Sequence, residues 1–424
     1  MPGAGLIEEL TWRGMLSEST EGLREALAAG PITGYIGFDP TADSLHAGSL
    51  LTVMGLARLQ RFGHVPIAIV GGGTGMIGDP SGKSQERTLL SIEEIEANVA
   101  GIRRQLERFL DFDAPANPAR IVNNAEWLAR FDLLGFLRDT GKYFTVNYML
   151  QKESVSRRLE SEDGISFTEF SYLLLQARDF VELFDRYNCT LQMGGTDQWG
   201  NITAGIDLVR RLRARRVHGL VWPLMTTASG AKFGKTESGA IWLDAARTSP
   251  FKFYQFWLNT DDRDVVRYLK FFTFMTHADI EELARAVHAR PDAREAQRAL
   301  SRTVTSIVHG DEQMERAERA ARVLFGGSFE GVGVDEILTV FEDAPSTDLA
   351  LGVDGMSAVD LLTATKLAAS KSDAVRLLKG GGVYVNNARV ANEKARFTTA
   401  DAIGGRLFVL RKGKKDQHIV KIRQ

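Results

Sequence analysis

Over its first half the chain alternates short apolar runs with stretches whose apolar residues recur every three or four positions. Strands and helices of a parallel α/β sheet produce that pattern. Tyr35-Ile36-Gly37-Phe38 predicts a strand closed by Asp39-Pro40, and Ser49 to Gln60 predicts a helix. Val65 to Val70 predicts a buried strand that stops at Gly71-Gly72-Gly73. Thr190 to Met193 predicts another, broken at Gly194-Gly195, with Thr196 placed to cap the next helix. After Leu243 the strand signals cease. Ser249-Pro250 is a helix start, and His277 to Ala289 and Pro291 to His309 continue a helical succession to about Leu338. Glu342 to Gly355, with Pro345, Ser346, Gly352 and Gly355, reads as a linker. Beyond it Ser357 caps a helix through Thr365, and Ser370 or Ser372 caps a second that stops at Gly380-Gly381-Gly382. Val383-Tyr384-Val385, Asn386-Asn387 and Ala388-Arg389-Val390 predict a tight hairpin, because Asn tolerates the positive φ that such turns require. The predicted organisation is a parallel-sheet body over residues 1–244, a helical domain over 245–342, a linker over 343–355 and a small α+β domain over 356–424.

Composition narrows the class. Of 424 residues 44% are apolar and 25% charged, as in an ordinary soluble globular protein. No apolar run approaches the roughly 18 residues that cross a bilayer, and the N-terminus lacks a basic-then-apolar signal, so a cytoplasmic protein away from membranes is expected. The single cysteine, Cys189, excludes an internal disulfide and a multi-cysteine zinc site. The net charge of −2 hides an asymmetry. Residues 355–424 carry 14 Lys and Arg against 5 Asp and Glu, a net of +9, leaving 38 against 49, or −11, in residues 1–354. A basic tail on an acidic body fits a polyanion such as nucleic acid, and equally a solvated basic surface.

Two glycine-rich motifs fail on inspection. Gly73-Thr74-Gly75-Met76-Ile77-Gly78 matches a dinucleotide fingerprint, but Asp79-Pro80-Ser81-Gly82 would interrupt the helix that the third glycine must pack. Gly82-Lys83-Ser84 resembles the end of a P-loop whose first glycine is replaced by Ile77. The seven histidines have no zinc-protease spacing, no G-x-S-x-G element occurs, and no metal ligands are predicted. Three other segments carry chemistry. In the first, a strand ends and His46-Ala47-Gly48 opens a helix, whose free N–H groups and positive dipole end suit phosphate. His46 taken alone reads sooner as a capping residue than as a phosphate ligand. In the second, Lys232-Phe233-Gly234-Lys235-Thr236 is a loop able to close over a triphosphate, or an ordinary solvated one. In the third, Tyr172, Gln176 and Asp179 share one helix face ahead of Gly194-Gly195-Thr196-Asp197-Gln198-Trp199-Gly200-Asn201.

Together these segments resemble the two signature sequences of class I aminoacyl-tRNA synthetases. The wording Tyr-Ile-Gly-Phe-Asp-Pro-Thr-Ala-Asp-Ser-Leu-His-Ala-Gly, Gly-Asp-Pro-Ser-Gly-Lys, Leu-Leu-Gln-Ala-Arg-Asp and Gly-Gly-Thr-Asp-Gln-Trp-Gly-Asn is similar to the bacterial tyrosyl-tRNA synthetase family over nearly the whole chain. The resemblance implies a Rossmann-like catalytic domain, an α-helical domain for the anticodon arm, and a C-terminal RNA-binding domain of the type named after ribosomal protein S4.

It also implies roles. Tyr35 and Asp179 would meet the phenolic OH of substrate tyrosine, and Tyr172, Gln176 and Asp79 its ammonium group. Gln198 would lie near the reacting carboxyl. Gly37, Asp39, Gly48, Gln192, Gly195 and Asp197 would surround the ATP ribose and base. Thr41 and His46 would bind the terminal phosphate, and Lys232, Lys235 and Thr236 would grip pyrophosphate. Tyrosine would be activated by ATP, entering as Mg-ATP, and passed to tRNA(Tyr) by a homodimer. Arg210 and Arg211, in a cluster running to Arg216, would contact tRNA backbone, or else form a solvated helix end. Ser49 stands where the fuller signature often has a second histidine or an asparagine, and Ile36 where a polar residue would reach the ribose.

Overall fold

The computed structural model describes residues 5–81, 90–160, 162, 164–230, 233–236, 239–324, 326–342, 344–390, 392–413 and 416–423, with Lys235 and Thr236 as backbone only. The chain divides into two compact units, residues 1–249 with 256–308, and residues 250–255 with 309–424.

The first unit is built on six strands: β1 (Glu18–Ser19), β2 (Thr33–Phe38), β3 (Val65–Val70), β4 (Arg120–Asn123), β5 (Cys189–Gly195) and β6 (His218–Trp222). Their order is β1-β6-β5-β2-β3-β4, all pairs parallel except β1 with β6. Covered on both faces, β3 is apolar throughout, and Val65–Val70 is the predicted run residue for residue. Alternation along β2 shows the two layers. Tyr35 meets Phe180 of helix Phe167–Tyr187 edge-on at 5.2 Å. A Cβ on neighbouring Gly34 would fall 2.8 Å from Leu59 of helix Ala47–Arg61.

Packing apportions residues 245–342 between the units. Helix Asp262–Phe272 is held to the sheet unit by two arginines aimed at its last carbonyls. Buried Arg58 donates to the carbonyls of Lys270, Phe271 and Thr273 at 3.0, 2.9 and 2.7 Å, and Arg13 to those of Lys270 and Met275 at 2.8 Å each. Burial, with Arg13 alongside, pushes the Arg58 guanidinium down to about 9. Helices Asp311–Leu324 and Val334–Val340 belong instead to the second unit.

Several boundaries differ from the sequence reading. Strand β5 runs on through Gly194 and Gly195, and Thr196 caps nothing: a 3₁₀ turn Thr196–Gln198 leads into helix Trp199–Arg213. Pro291–Ala293 is a separate 3₁₀ turn, broken from helix Glu295–His309 by Arg294 in the left-handed region (φ 48°). Gly73 to Gly78 forms only a 3₁₀ turn at Thr74–Met76, so the dinucleotide helix is absent there.

The second unit contains β9 (Ser346–Ala350), which follows the short hairpin β7 (Lys235–Thr236) and β8 (Gly239–Ala240) of the first unit. Residues 346–350 were expected to be linker. They form an edge strand parallel to β15 (Asp416–Arg423), because pairing supplies the regularity that this polar segment lacks. Between them in sequence lie β10 (Met356–Ser357), β11 (Val383–Val385), β12 (Ala388–Arg389), β13 (Arg396–Phe397) and β14 (Leu407–Lys412). The five-stranded order is β12-β11-β14-β15-β9. Ser357 and Ser370 cap helices Ala358–Ala364 and Lys371–Lys379, and the hairpin turns through Asn386 (φ 49°) and Asn387 (φ 61°) as predicted. Phe408 and Leu410 pack on those two helices, while Leu407 and Val409 pack on Ile337 and Phe341.

Candidate active site

Strand order reverses around β2, and at the carboxyl ends of its neighbours a cavity of about 670 Å³ opens, the usual place for a site in an open parallel sheet. Every predicted site residue from β2 through the loop after β5 lines it. These are Tyr35, Gly37, Asp39, Thr41, His46, Gly48, Asp79, Tyr172, Gln176, Asp179, Gln192, Gly195, Asp197 and Gln198.

Asp179 and Tyr35 line this cavity with their polar groups almost wholly out of solvent. Asp179 Oδ1 accepts from Trp127 Nε1 at 2.7 Å and Oδ2 from Asn124 Nδ2 at 3.0 Å. Burial pushes its carboxyl up to about 7, the two donors hold it lower than burial alone would, and the charge of Asp39 adds to the rise. The Tyr35 hydroxyl is buried with no hydrogen-bond partner, and burial with the nearby Asp179 raises its phenol well above the ordinary range. A protonated phenol beside a held carboxylate is an incomplete set: it lacks one partner that both accepts and donates.

From Asn124 a chain of bonds continues along the wall. Asn124 Nδ2 donates to Thr74 Oγ1 at 2.9 Å, Thr74 Oγ1 to Asp39 Oδ1 at 3.0 Å, and the Tyr172 hydroxyl to Asp39 Oδ2 at 3.0 Å. A second network joins Asp79, Gln176 and Gln198. Gln198 Nε2 donates to Asp79 Oδ2 at 2.7 Å, Gln176 Nε2 to Gln198 Oε1 at 3.2 Å, and Asn201 Nδ2 to Gln176 Oε1 at 2.9 Å. Burial and then the charges of Asp39, Asp79 and Asp179 raise the Tyr172 phenol well above its usual value. Three carboxylates thus converge on a wall where no Lys or Arg appears among the described lining residues, which suits a ligand that brings its own cation. Buried Gln192 keeps Oε1 without a partner.

Another side of the cavity brings the two signature segments together. His46 occupies the N-cap of helix Ala47–Arg61, its Nδ1 3.5 Å from Ser49 Oγ. Ala47 N–H donates to the Ile241 carbonyl at 2.7 Å and Ser49 N–H to that of His46 at 2.8 Å, so these two N–H groups are already engaged. Gly234, at φ 78°, is pressed so close that a Cβ there would lie 2.6 Å from Gly48 N. Lys235 pairs with Ala240 across the β7–β8 hairpin. Lys232 lies outside the described residues, as do the side chains of Lys235 and Thr236.

Arg210 and Arg211 do not line the cavity. Arg210 pairs with Asp207 at 2.9 Å and Arg211 donates to the Tyr143 carbonyl at 3.2 Å on the exposed last turn of their helix. The sequence reading missed Asn124, Trp127, Thr74 and Asn201. Asn124 had a signal: it follows the apolar Ile121-Val122 pair at the carboxyl end of a strand, where α/β sheets place function. Trp127 had none.

Comparison with known proteins agrees with this geometry. Residues 27–326 match the model of tRNA synthetases class I (W and Y), and residues 336–420 that of a tyrosine–tRNA ligase SYY-like C-terminal domain. The chain is 55% identical over 420 residues to a tyrosine–tRNA ligase of Roseiflexus castenholzii, covering 98% of this chain and 99% of that one. It is 53% identical to one from Anaeromyxobacter dehalogenans, covering 99% of each. A C-terminally truncated Aspergillus nidulans mitochondrial tyrosyl-tRNA synthetase superposes with TM-score 0.68 at 31% identity, covering 76% of this chain and 94% of that one. A tryptophanyl-tRNA synthetase from Encephalitozoon cuniculi, at 14% identity and TM-score 0.52 over 73% of this chain and 87% of its own, shares the fold alone.

Proposed function

Because the chain belongs to the class I tRNA synthetases, in their tyrosine–tRNA ligase branch, we propose that its cavity activates L-tyrosine with ATP through the residues described above. The reaction is ligation of tyrosine to tRNA(Tyr): the tyrosine carboxylate attacks the α-phosphorus of ATP, pyrophosphate leaves, and the tyrosyl group passes to the 3′ end of the tRNA.

The observation that carries the residue assignment is the unpartnered Tyr35 hydroxyl beside the doubly held carboxylate of Asp179. A phenolic OH completes both, accepting from Tyr35 and donating to Asp179. Phenylalanine would leave both groups buried and unpaired. Asp79, Tyr172 and Gln176 take the ammonium, which supplies the cation their wall lacks, and Gln198, bonded to Asp79 and Gln176, faces the carboxyl. Gly37, Asp39, Gly48, Gln192, Gly195 and Asp197 receive the nucleoside, with the Gln192 carbonyl oxygen in want of a donor. The nucleophile is already an anion at neutral pH, so the first step needs alignment and charge stabilisation in place of a general base. Thr41, His46, Lys232, Lys235 and Thr236 meet the phosphates of ATP, which enters as its magnesium complex.

Residues 245–342 and the basic 356–424 domain recognise the anticodon arm and the long variable arm, and Arg210 and Arg211 the tRNA backbone. The working form is a homodimer in the cytoplasm. Its support is a group of exposed apolar side chains between residues 133 and 167, Leu133, Leu134, Val146 and Phe167, each 60% exposed or more. Tyrosine-dependent ATP–pyrophosphate exchange, run with each of the twenty amino acids, tests the whole reading. Exchange with tyrosine alone is expected, and activation of a different amino acid overturns it.

A further inference from the structure

The loop bearing Lys235 is tied at its N-terminal leg by an ion pair, between buried Asp264 and half-exposed Arg267, that the reaction scheme does not use. Asp264, 4% exposed, sits in the first turn of helix Asp262–Phe272. Its Oδ2 accepts the Ala228 N–H at 2.8 Å and its Oδ1 accepts Arg267 Nη2 at 2.7 Å. The same Nη2 donates to the Thr226 carbonyl at 2.5 Å. The pair thereby satisfies one donor and one acceptor of a segment that leaves the cavity at Met225. Further along, Phe233 is buried among Phe256, Trp257, Tyr268 and Phe272, with ring centroids 4.9–5.7 Å away.

The far end of this helix is gripped by Arg58, which belongs to the helix whose first turn presents His46 and Gly48. One helix thus links the two phosphate-facing elements, holding the loop at its amino end and the His46 helix at its carboxyl end. Both grips are charged, directed hydrogen bonds, from buried Arg58 at one end and through buried Asp264 at the other, and such bonds fix geometry more tightly than apolar contact does.

We propose that Asp264 and Arg267 are positioning residues for adenylate formation, fixing Thr226 and Ala228 at the start of the segment that leads to Lys235. The proposal rests on the tyrosine-activation reading above. It requires that loss of the pair slow the chemical step while leaving the tyrosine pocket intact, since no atom of the pair touches that pocket.

The test uses the full-length protein with Arg267→Met, Asp264→Asn and Arg267→Lys, each checked by thermal unfolding. The readouts are tyrosine-dependent ATP–pyrophosphate exchange and equilibrium tyrosine binding. Arg267→Met and Asp264→Asn are expected to lower exchange between about tenfold and about a hundredfold, with tyrosine affinity unchanged within about twofold. Arg267→Lys, which keeps the charge, is expected to recover most of the rate. Because the pair acts through the loop, Arg267→Met combined with Lys235→Ala is expected to cost no more than Lys235→Ala alone. Additive losses, a parallel loss of tyrosine binding, or full exchange in Arg267→Met would overturn the proposal while the functional reading stood. A wild-type protein that does not activate tyrosine overturns that reading and the proposal with it.

Discussion

Trp127 Nε1 and Asp179 Oδ1 lie 2.7 Å apart, so the carboxylate proposed to meet the substrate phenol is held in place before any substrate arrives. With Asn124 on the other oxygen, one donor is fixed on each side, leaving lone pairs directed into the cavity. Trp127→Phe removes the N–H together with the pyrrole part of a buried indole, so its thermal unfolding is followed alongside to separate lost packing from the lost donor. A hydrogen bond to a charged group is worth about 1.5–3 kcal/mol, so the tyrosine KM is expected to rise about tenfold or more while the ATP KM stays put. Steady-state exchange with each substrate varied separately checks this.

Tyr35→Phe separates stability from selectivity. The hydroxyl is buried and unpartnered in the free protein, so deleting it removes an unsatisfied group. The unfolding midpoint is expected to hold or rise, by the equivalent of up to about 1 kcal/mol. Discrimination between tyrosine and phenylalanine is expected to fall about tenfold or more. A destabilised variant with undiminished selectivity would place the phenol elsewhere.

Asp179 predicts a pH dependence of definite sign. Its carboxyl is raised to about 7 in the folded chain, against about 3.9 when unfolded. Between these values the native state holds a proton that the unfolded state has released, so this residue's contribution to stability is present at low pH, is lost as pH rises to about 7, and is level above. Tyrosine binding runs the opposite way, because the phenol donates to the ionised form. Affinity is expected to tighten from about pH 6 to about pH 8, with proton release on binding, and Asp179→Asn is expected to flatten the profile. Calorimetric titrations in two buffers of different ionisation enthalpy count the protons.

Arg210→Glu with Arg211→Glu tests the tRNA surface. Both side chains sit on an exposed helix end outside the cavity, where Arg210 pairs with Asp207 and Arg211 donates to the Tyr143 carbonyl. Charging is expected to fall about tenfold or more and its salt dependence to become shallower by about one counterion per contact, with exchange unaffected. Charging at the wild-type rate would return the cluster to the role of a solvated helix end.

Much of this architecture is carried by residues whose effect is local. Val65–Val70 is apolar at every position, short, rich in Val and Ile and followed by three glycines, which together fit a strand buried on both faces. Ser357 and Ser370 cap because their hydroxyls reach an N–H three residues on, and Asn386-Asn387 turn because Asn accepts positive φ. The cavity residues from Tyr35 to Gln198 were legible for a related reason. Some follow strand ends, where glycine and polar side chains break an apolar run, Tyr172, Gln176 and Asp179 share a face of helix Phe167–Tyr187, and their order along the chain matches that of a known family.

Other features exist only once distant segments meet. Residues 346–350 carry no strand pattern of their own and become β9 because β15 offers an open edge. Residues 245–342 are one helical succession by periodicity, yet Arg58 claims Asp262–Phe272 for the sheet unit while Leu407 and Val409 claim Val334–Val340 for the other. Trp127 on Asp179 and Asp264 on Ala228 are pairings across 52 and 36 residues. Periodicity and turn chemistry express each residue's own backbone and solvent preferences, and so can be read one segment at a time. Hydrogen bonds between remote groups depend on which surfaces come together, and no single segment records that.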